Sequence, residues 1–141
     1  MIIRCGVDLV YLPRFKRSLK RGGENFLRRV FLEEEFNDPQ DHLRGVPQAG
    51  RQTSQPRLTV AQHHLGGEIS HLAGIFAAKE AVIKALSLST DSWLDIFITY
   101  KRNGQPKAEF INHKSLIINH SLSISHDGNY VIAQFIAMLK E

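Results

Sequence analysis

From Ile69 to Leu86 apolar residues recur at helical spacing, through Leu72, Ala73, Phe76, Val82 and Ile83, and together they cover most of the circumference of a helix. Such a helix needs other elements wrapped around it, so this stretch sets the centre of the fold. Three charges interrupt it: Lys79, Glu80 and Lys84. Glu80 and Lys84 stand four apart and share a face, bordered by Phe76, Ile83 and Leu86 rather than by solvating residues. Two readings of that pair are open at this point. A Glu four residues before a Lys is the ordinary stabilising helix pair, contributing roughly 0.2–0.5 kcal/mol. A carboxylate and an ammonium at the edge of a core also suit phosphate chemistry, the first holding a hard cation and the second neutralising phosphate oxygen.

The rest of the chain supplies the wrapping. With 141 residues and 43% hydrophobic content it can form one core, and residues 1–141 read as a single domain. Residues 2–10 read as a buried strand with Asp8 near its C-terminal end. Pro13 suits the first turn of a helix that runs to about Arg21 and stops at Gly22-Gly23, and Phe26, Leu27, Val30 and Phe31 predict a further short helix before the acidic turn Glu33-Glu34-Glu35. Residues 37–67, punctuated by Pro39, Gly45, Pro47, Gly50 and Pro56, read as a long polar loop or insertion. After the central helix the period changes to two. Trp93 to Tyr100 predicts a strand, Asn103-Gly104-Gln105-Pro106 a hairpin turn and Lys107 to Ile111 the return strand. A second pair, Ser121–Ser125 and Tyr130–Met138, flanks His126-Asp127-Gly128-Asn129. The sum is an α+β fold with a long central helix packed on an antiparallel sheet.

Several function classes lose support. Cys5 is the only cysteine, which excludes an internal disulfide or a cysteine zinc cage and reads as a small buried apolar residue. No run approaches the roughly 18–20 apolar residues of a membrane span, so a cytoplasmic protein without a membrane partner is expected. Phosphate-loop and dinucleotide glycine patterns are absent, and His63, His64 and His71 lack a recognised metal-ligand spacing. Residues 1–30 carry eight Lys or Arg against Asp8 and Glu24, a field of +6 that would steer an acidic partner. The cluster lacks the interleaved aromatic residues of a nucleic-acid surface, so no nucleic-acid partner is expected.

The chemistry-bearing candidates are therefore Asp8 at a strand end and Glu80 with Lys84 on the central helix. Two carboxylates with open water positions are how Mg²⁺ is commonly held, the remaining ligands coming from substrate phosphate. Asp8 could instead cap the helix that follows it. His126 lies in Ser123-Ile124-Ser125-His126-Asp127, where strand alternation separates it from Ser123, Ser125 and Asp127; adjacency of Ser, His and Asp is no sign of a hydrolase triad, which is assembled in space.

Taken in order, Gly6-Val7-Asp8-Leu9-Val10, Phe76-Ala77-Ala78-Lys79-Glu80-Ala81 with Lys84-Ala85-Leu86, Trp93-Leu94-Asp95-Ile96, Asn103-Gly104-Gln105-Pro106 and Ser123-Ile124-Ser125-His126 resemble the holo-acyl-carrier-protein synthases, small members of the 4'-phosphopantetheinyl transferase superfamily. The resemblance implies transfer of 4'-phosphopantetheine from coenzyme A to a serine of an apo acyl carrier protein, releasing 3',5'-ADP. It implies Asp8 and Glu80 as Mg²⁺ ligands and Glu80 and Lys84 as catalytic groups. Lys79, Lys84, Gly104, Pro106 and His126 would lie at the coenzyme, while Arg14, Phe26 and Arg29 would dock the acidic carrier. A homotrimer with active sites between subunits is implied as well. The chain departs from the family pattern at Ile75, where relatives usually carry Arg, and at Ser87-Leu88-Ser89, which replaces a glycine-containing turn. Arg44, Arg51 or Arg57 could compensate for the first. The departures leave a second reading: a catalytically weakened or non-catalytic basic module that still docks an acidic carrier.

Overall fold

The computed structural model describes residues 1–36, 67–112 and 116–141. Strand β1 (Ile2–Tyr11) runs directly into helix α1 (Leu12–Val30), with Pro13 in its first turn, where its missing N–H costs no intrahelical bond. Gly22-Gly23 does not end α1. The helix kinks at Gly23 (φ 53°, ψ −140°) and resumes to Val30, so the short helix expected around Phe26 is the second limb of α1. The acidic run forms the single turn α2 (Glu33–Phe36), and α3 (Gly67–Leu86) is the 20-residue central helix. Trp93 lies in a 3-10 turn (Ser92–Asp95) rather than in a strand; β2 (Ile96–Tyr100) starts after it, followed by β3 (Pro106–Phe110), β4 (Ile117–Asp127) and β5 (Tyr130–Leu139). Most of residues 37–67 lies outside the described residues.

Two antiparallel sheets result, one in the order β1-β5-β4 and one made of β2 and β3. The α+β expectation of a long helix on an antiparallel sheet is met. In β5, alternate residues Val131, Ala133, Phe135 and Ala137 point inward and are fully or nearly fully buried, as are Ala73, Ala77, Ala78, Ala81 and Ala85 of α3. The small alanine side chains let helix and sheet approach closely. The approach is tight at Gly6, where an added Cβ would lie 2.0 Å from the Ala81 carbonyl oxygen and 2.7 Å from the Ala85 nitrogen. Only a residue without Cβ fits there.

The helix covers one face of the sheet only. On the other, Ile3, Val7, Leu9 and Tyr11 of β1 and Tyr130, Ile132 and Ile136 of β5 are exposed in the single chain, and Cys5 is exposed beside them. The readings of β1 as a buried strand and of Cys5 as a buried residue are thus corrected: alternate residues of β1 face away from α3. No described helix is long and apolar enough to cross a membrane.

Candidate active site

Because Gly6 brings β1 against Ala81 and Ala85, the carboxylate of Asp8, two residues further on, arrives at the turn of α3 that carries Glu80 and Lys84. Asp8 and Glu80 line one cleft of about 290 Å³, together with Leu9 and Val10 of β1, Arg14, Phe15, Ser18 and Phe26 of α1 and Phe76 of α3. Asp8 does not cap α1: the capping position is Tyr11, without a side-chain bond, and Asp8 Oδ1 instead accepts from Lys84 Nζ at 2.7 Å. Lys84 also donates to the Val7 carbonyl at 3.1 Å. Glu80 is engaged elsewhere, its Oε1 accepting from the Trp93 indole N–H at 2.6 Å. The four-residue spacing of Glu80 and Lys84 thus serves two different partners.

Among the described residues no three His, Cys, Asp or Glu side chains converge on a common point. The protein offers two carboxylates at an open cleft, leaving most coordination positions to water or to a ligand. That donor set fits Mg²⁺, which keeps part of its hydration and prefers oxygen, and does not fit a structural zinc.

Lys79 is placed differently from the expectation of a coenzyme contact. Its side chain is fully buried, 2.6 Å from Glu35 Oε2, and donates to the carbonyls of Val30 at 2.9 Å and Trp93 at 3.0 Å. Glu35 is completed by the backbone N–H groups of Leu32 and Ile98, both at 2.8 Å. A lysine interior to a core must be paired, and this one ties α3 to α1, α2 and the 3-10 turn. Burial pushes the Glu35 carboxyl up, against the nearby Lys79 charge, and pushes the Lys79 ammonium down, against Glu35. Burial, with the Glu35 charge added, also raises the Tyr100 phenol to about 12. Sequence reading missed Glu35 because a run of three glutamates reads as a solvated turn.

The three docking candidates all belong to α1. Arg14 and Phe26 line the cleft, and the Arg29 guanidinium sits over the Trp93 ring at 5.6 Å. Phe26 belongs to an aromatic row: its ring is 6.2 Å from Phe15 and 6.3 Å from Phe76, and Phe76 in turn lies 6.5 Å from Trp93. The remaining coenzyme candidates lie apart from the cleft. His126 Nδ1 is 2.9 Å from Ser70 Oγ near the start of α3, against Gly74, where an added Cβ would be 3.6 Å from the imidazole. Gly104 adopts φ +80° in the β2–β3 turn and Pro106 opens β3, paired with Tyr100. His71 stacks on Tyr100 with ring centroids 5.5 Å apart. His63, His64, Arg44, Arg51 and Arg57 lie outside the described residues.

Both departures acquire a structural setting. Ile75 is completely buried in the core. Ser87, directly after α3, takes φ 54°, the left-handed conformation that a glycine adopts without strain.

Residues 4–135 match the 4'-phosphopantetheinyl transferase superfamily. The holo-[acyl-carrier-protein] synthase of Ehrlichia chaffeensis is 30% identical over 100% of this chain and 99% of its own, and that of Ehrlichia ruminantium strain Gardel is 32% identical over the same shares. Among solved structures, the Chronobacterium ammoniagenes ACPS–CoA complex superposes with a TM-score of 0.70 at 26% identity, covering all of both chains. The Helicobacter pylori holo-[acyl-carrier-protein] synthase in complex with coenzyme A superposes with a TM-score of 0.68 at 27% identity, over 95% of this chain and 99% of that one.

Proposed function

This chain belongs to the 4'-phosphopantetheinyl transferase superfamily, and from that premise we propose that its Asp8–Glu80 cleft carries out phosphopantetheine transfer with the help of Mg²⁺. The reaction moves 4'-phosphopantetheine from coenzyme A to a serine hydroxyl of an apo acyl carrier protein. The observation that carries the site assignment is the convergence of Asp8 and Glu80, from separate elements, on one cleft.

Asp8 and Glu80 are the residues that would hold Mg²⁺, whose charge would offset the negative charge that develops on the phosphate. Glu80, directly or through a water, would take the proton of the carrier serine as the serine oxygen attacks the phosphorus that bears pantetheine. The new serine O–P bond forms, the pyrophosphate P–O bond breaks, and the electron pair leaves on 3',5'-ADP. Lys84 supplies positive charge to the phosphate in flight, moving from the Asp8 carboxylate on which it rests. Arg14 and Arg29 attract the acidic carrier and Phe26 gives it an apolar contact beside the cleft. Lys79, buried on Glu35, holds the helix in place.

The same site supports a trimer. Gly104, Pro106 and His126 are not among the residues lining the Asp8–Glu80 cleft, and the outer face of β1 and β5 exposes Ile3, Val7, Leu9, Ile132 and Ile136 in the single chain, with Gln134 among them. Covering that face with two further copies would bury it and bring a neighbour's coenzyme-contact residues to the cleft. Sedimentation should give three chains per particle, and Ile136→Lys, on that face, should give monomers with little transfer; a monomeric, fully active wild type would overturn this arrangement.

The decisive experiment on function is to incubate the protein with coenzyme A, Mg²⁺ and an apo acyl carrier protein and weigh the carrier. A carrier heavier by one phosphopantetheine group is expected. An unmodified carrier under every metal condition, with binding retained, would leave only the docking-module reading.

A further inference from the structure

We propose that Trp93 is a positioning residue for Glu80, a role that rests on the reading of Glu80 as a metal ligand. The indole N–H takes one carboxylate oxygen, Oε1, at 2.6 Å, so that of the carboxylate of Glu80, which lines the cleft, the other oxygen, Oε2, is left to meet a metal. A long glutamate side chain at the edge of a cleft otherwise samples several rotamers, and each unproductive one weakens a site to which the described residues bring two carboxylates.

The tryptophan is itself held on several sides. Its backbone carbonyl accepts from Lys79 Nζ at 3.0 Å, so consecutive residues of α3, Lys79 and Glu80, grip the same residue at its backbone and at its ring. The Arg29 guanidinium covers the ring at 5.6 Å, and Phe76 packs nearby with centroids 6.5 Å apart. The buried Lys79–Glu35 pair, which has no direct place in the transfer step, thereby acquires a purpose: it fixes the 3-10 turn from which the indole reaches Glu80. Packing alone would be served by phenylalanine. The N–H donor is what tryptophan adds.

Mn²⁺ serves as the probe, its free concentration read by electron paramagnetic resonance in the presence of the full-length assembled protein and coenzyme A. Glu80→Ala is expected to abolish the tight Mn²⁺ site. Trp93→Phe is expected to weaken it roughly 10- to 100-fold, the usual effect of losing a partner that orients a ligand. It should leave the unfolding midpoint and the metal-free affinity for coenzyme A near wild type, and the lost transfer rate should recover when metal, but not carrier, is raised. Trp93 is the only tryptophan, so biosynthetic replacement by benzothienylalanine, which puts sulfur in place of the N–H, repeats the test at full ring size if the Phe variant does not fold. Unchanged Mn²⁺ affinity without the N–H, with the site lost in Glu80→Ala, would overturn the positioning role alone. Wild-type Mn²⁺ affinity in Glu80→Ala would overturn the ligand reading and this inference together.

Discussion

Lys84 rests on Asp8, its ammonium 2.7 Å from Oδ1, so that a side-chain cation sits on a carboxylate that lines the cleft. The Lys84 side chain is 51% exposed while that of Asp8 is mostly buried at 15%, and with its cation so open to water the pair contributes about 1 kcal/mol. Its value to the protein is therefore in charge placement. Lys84→Met should change stability in urea by about 1 kcal/mol and lower kcat by about 10²- to 10³-fold, the range for removing one donor to a developing negative charge. Normal turnover with normal stability would remove Lys84 from the transfer step.

Gly6 is the reason Asp8 reaches that lysine. A Cβ there would sit 2.0 Å from the Ala81 carbonyl oxygen, and because the obstacle is helix backbone no rotamer change relieves it. Gly6→Ala should lift β1 from α3, costing about 1–3 kcal/mol in unfolding free energy. The folded fraction should lose transfer more than 10²-fold, since displacing a catalytic group by about 1 Å has that effect. Denaturant titration and single-turnover kinetics on the same preparation separate the two losses.

The Lys79–Glu35 pair gives a stability prediction instead. Both side chains are fully buried, and Lys79→Met leaves a carboxyl in the core facing no cation. Breaking a buried pair in this way costs about 3–5 kcal/mol. Adding Glu35→Gln removes the stranded charge while an amide oxygen can still accept from Leu32 or Ile98, so the double variant should be more stable than Lys79→Met alone. Equal stability of the two would mean that Glu35 is neutral in the single variant.

How much of this was legible in the sequence follows from the range of the interactions. The central helix was readable because an apolar period over α3 is local, and the β4–β5 pair because alternation is local too. That Lys79 points into the core while neighbouring Glu80 reaches a cleft was not readable, since the deciding partner, Glu35, is far away in sequence and hidden in an acidic run. The exposed outer face of β1 was misread for a related reason. A strand with Ile3, Val7 and Leu9 on one face signals burial of that face, without saying whether its own chain or another copy does the covering. The Trp93 bond to Glu80 likewise depends on the 3-10 turn, where the sequence suggested strand.

Ser87 ends α3 in the left-handed region at φ 54°. An L-residue there costs roughly 1–2 kcal/mol, and a glycine recovers that at a penalty of about 0.5–1 kcal/mol from the greater freedom of the unfolded chain. Ser87→Gly should therefore stabilise the protein by about 0.5–1 kcal/mol, seen as a raised urea midpoint with an unchanged slope. A lower midpoint would mean that the serine is relieved of strain by a contact worth more than the backbone penalty.

His120 sets a pH dependence whose sign can be worked out. Its ring lies against Phe110 at 5.5 Å and Phe135 at 5.6 Å, and burial pushes its pKa below the ordinary 6.5, helped by the positive charges of Lys107 and Lys101 and opposed by a hydrogen bond involving the Ala108 backbone. Between 6.5 and that depressed value the unfolded chain binds a proton that the folded chain does not, so stability rises with pH through the window and is lost on acidification below 6.5. Above pH 6.5 the contribution is fully present. His120→Gln keeps a polar group that can hydrogen-bond and does not titrate, and so should lose less stability than wild type between pH 7.5 and 5. Urea unfolding of both proteins across that range checks it: parallel declines would place the acid sensitivity on other groups, whereas a shallower decline in the variant assigns that part of it to the imidazole.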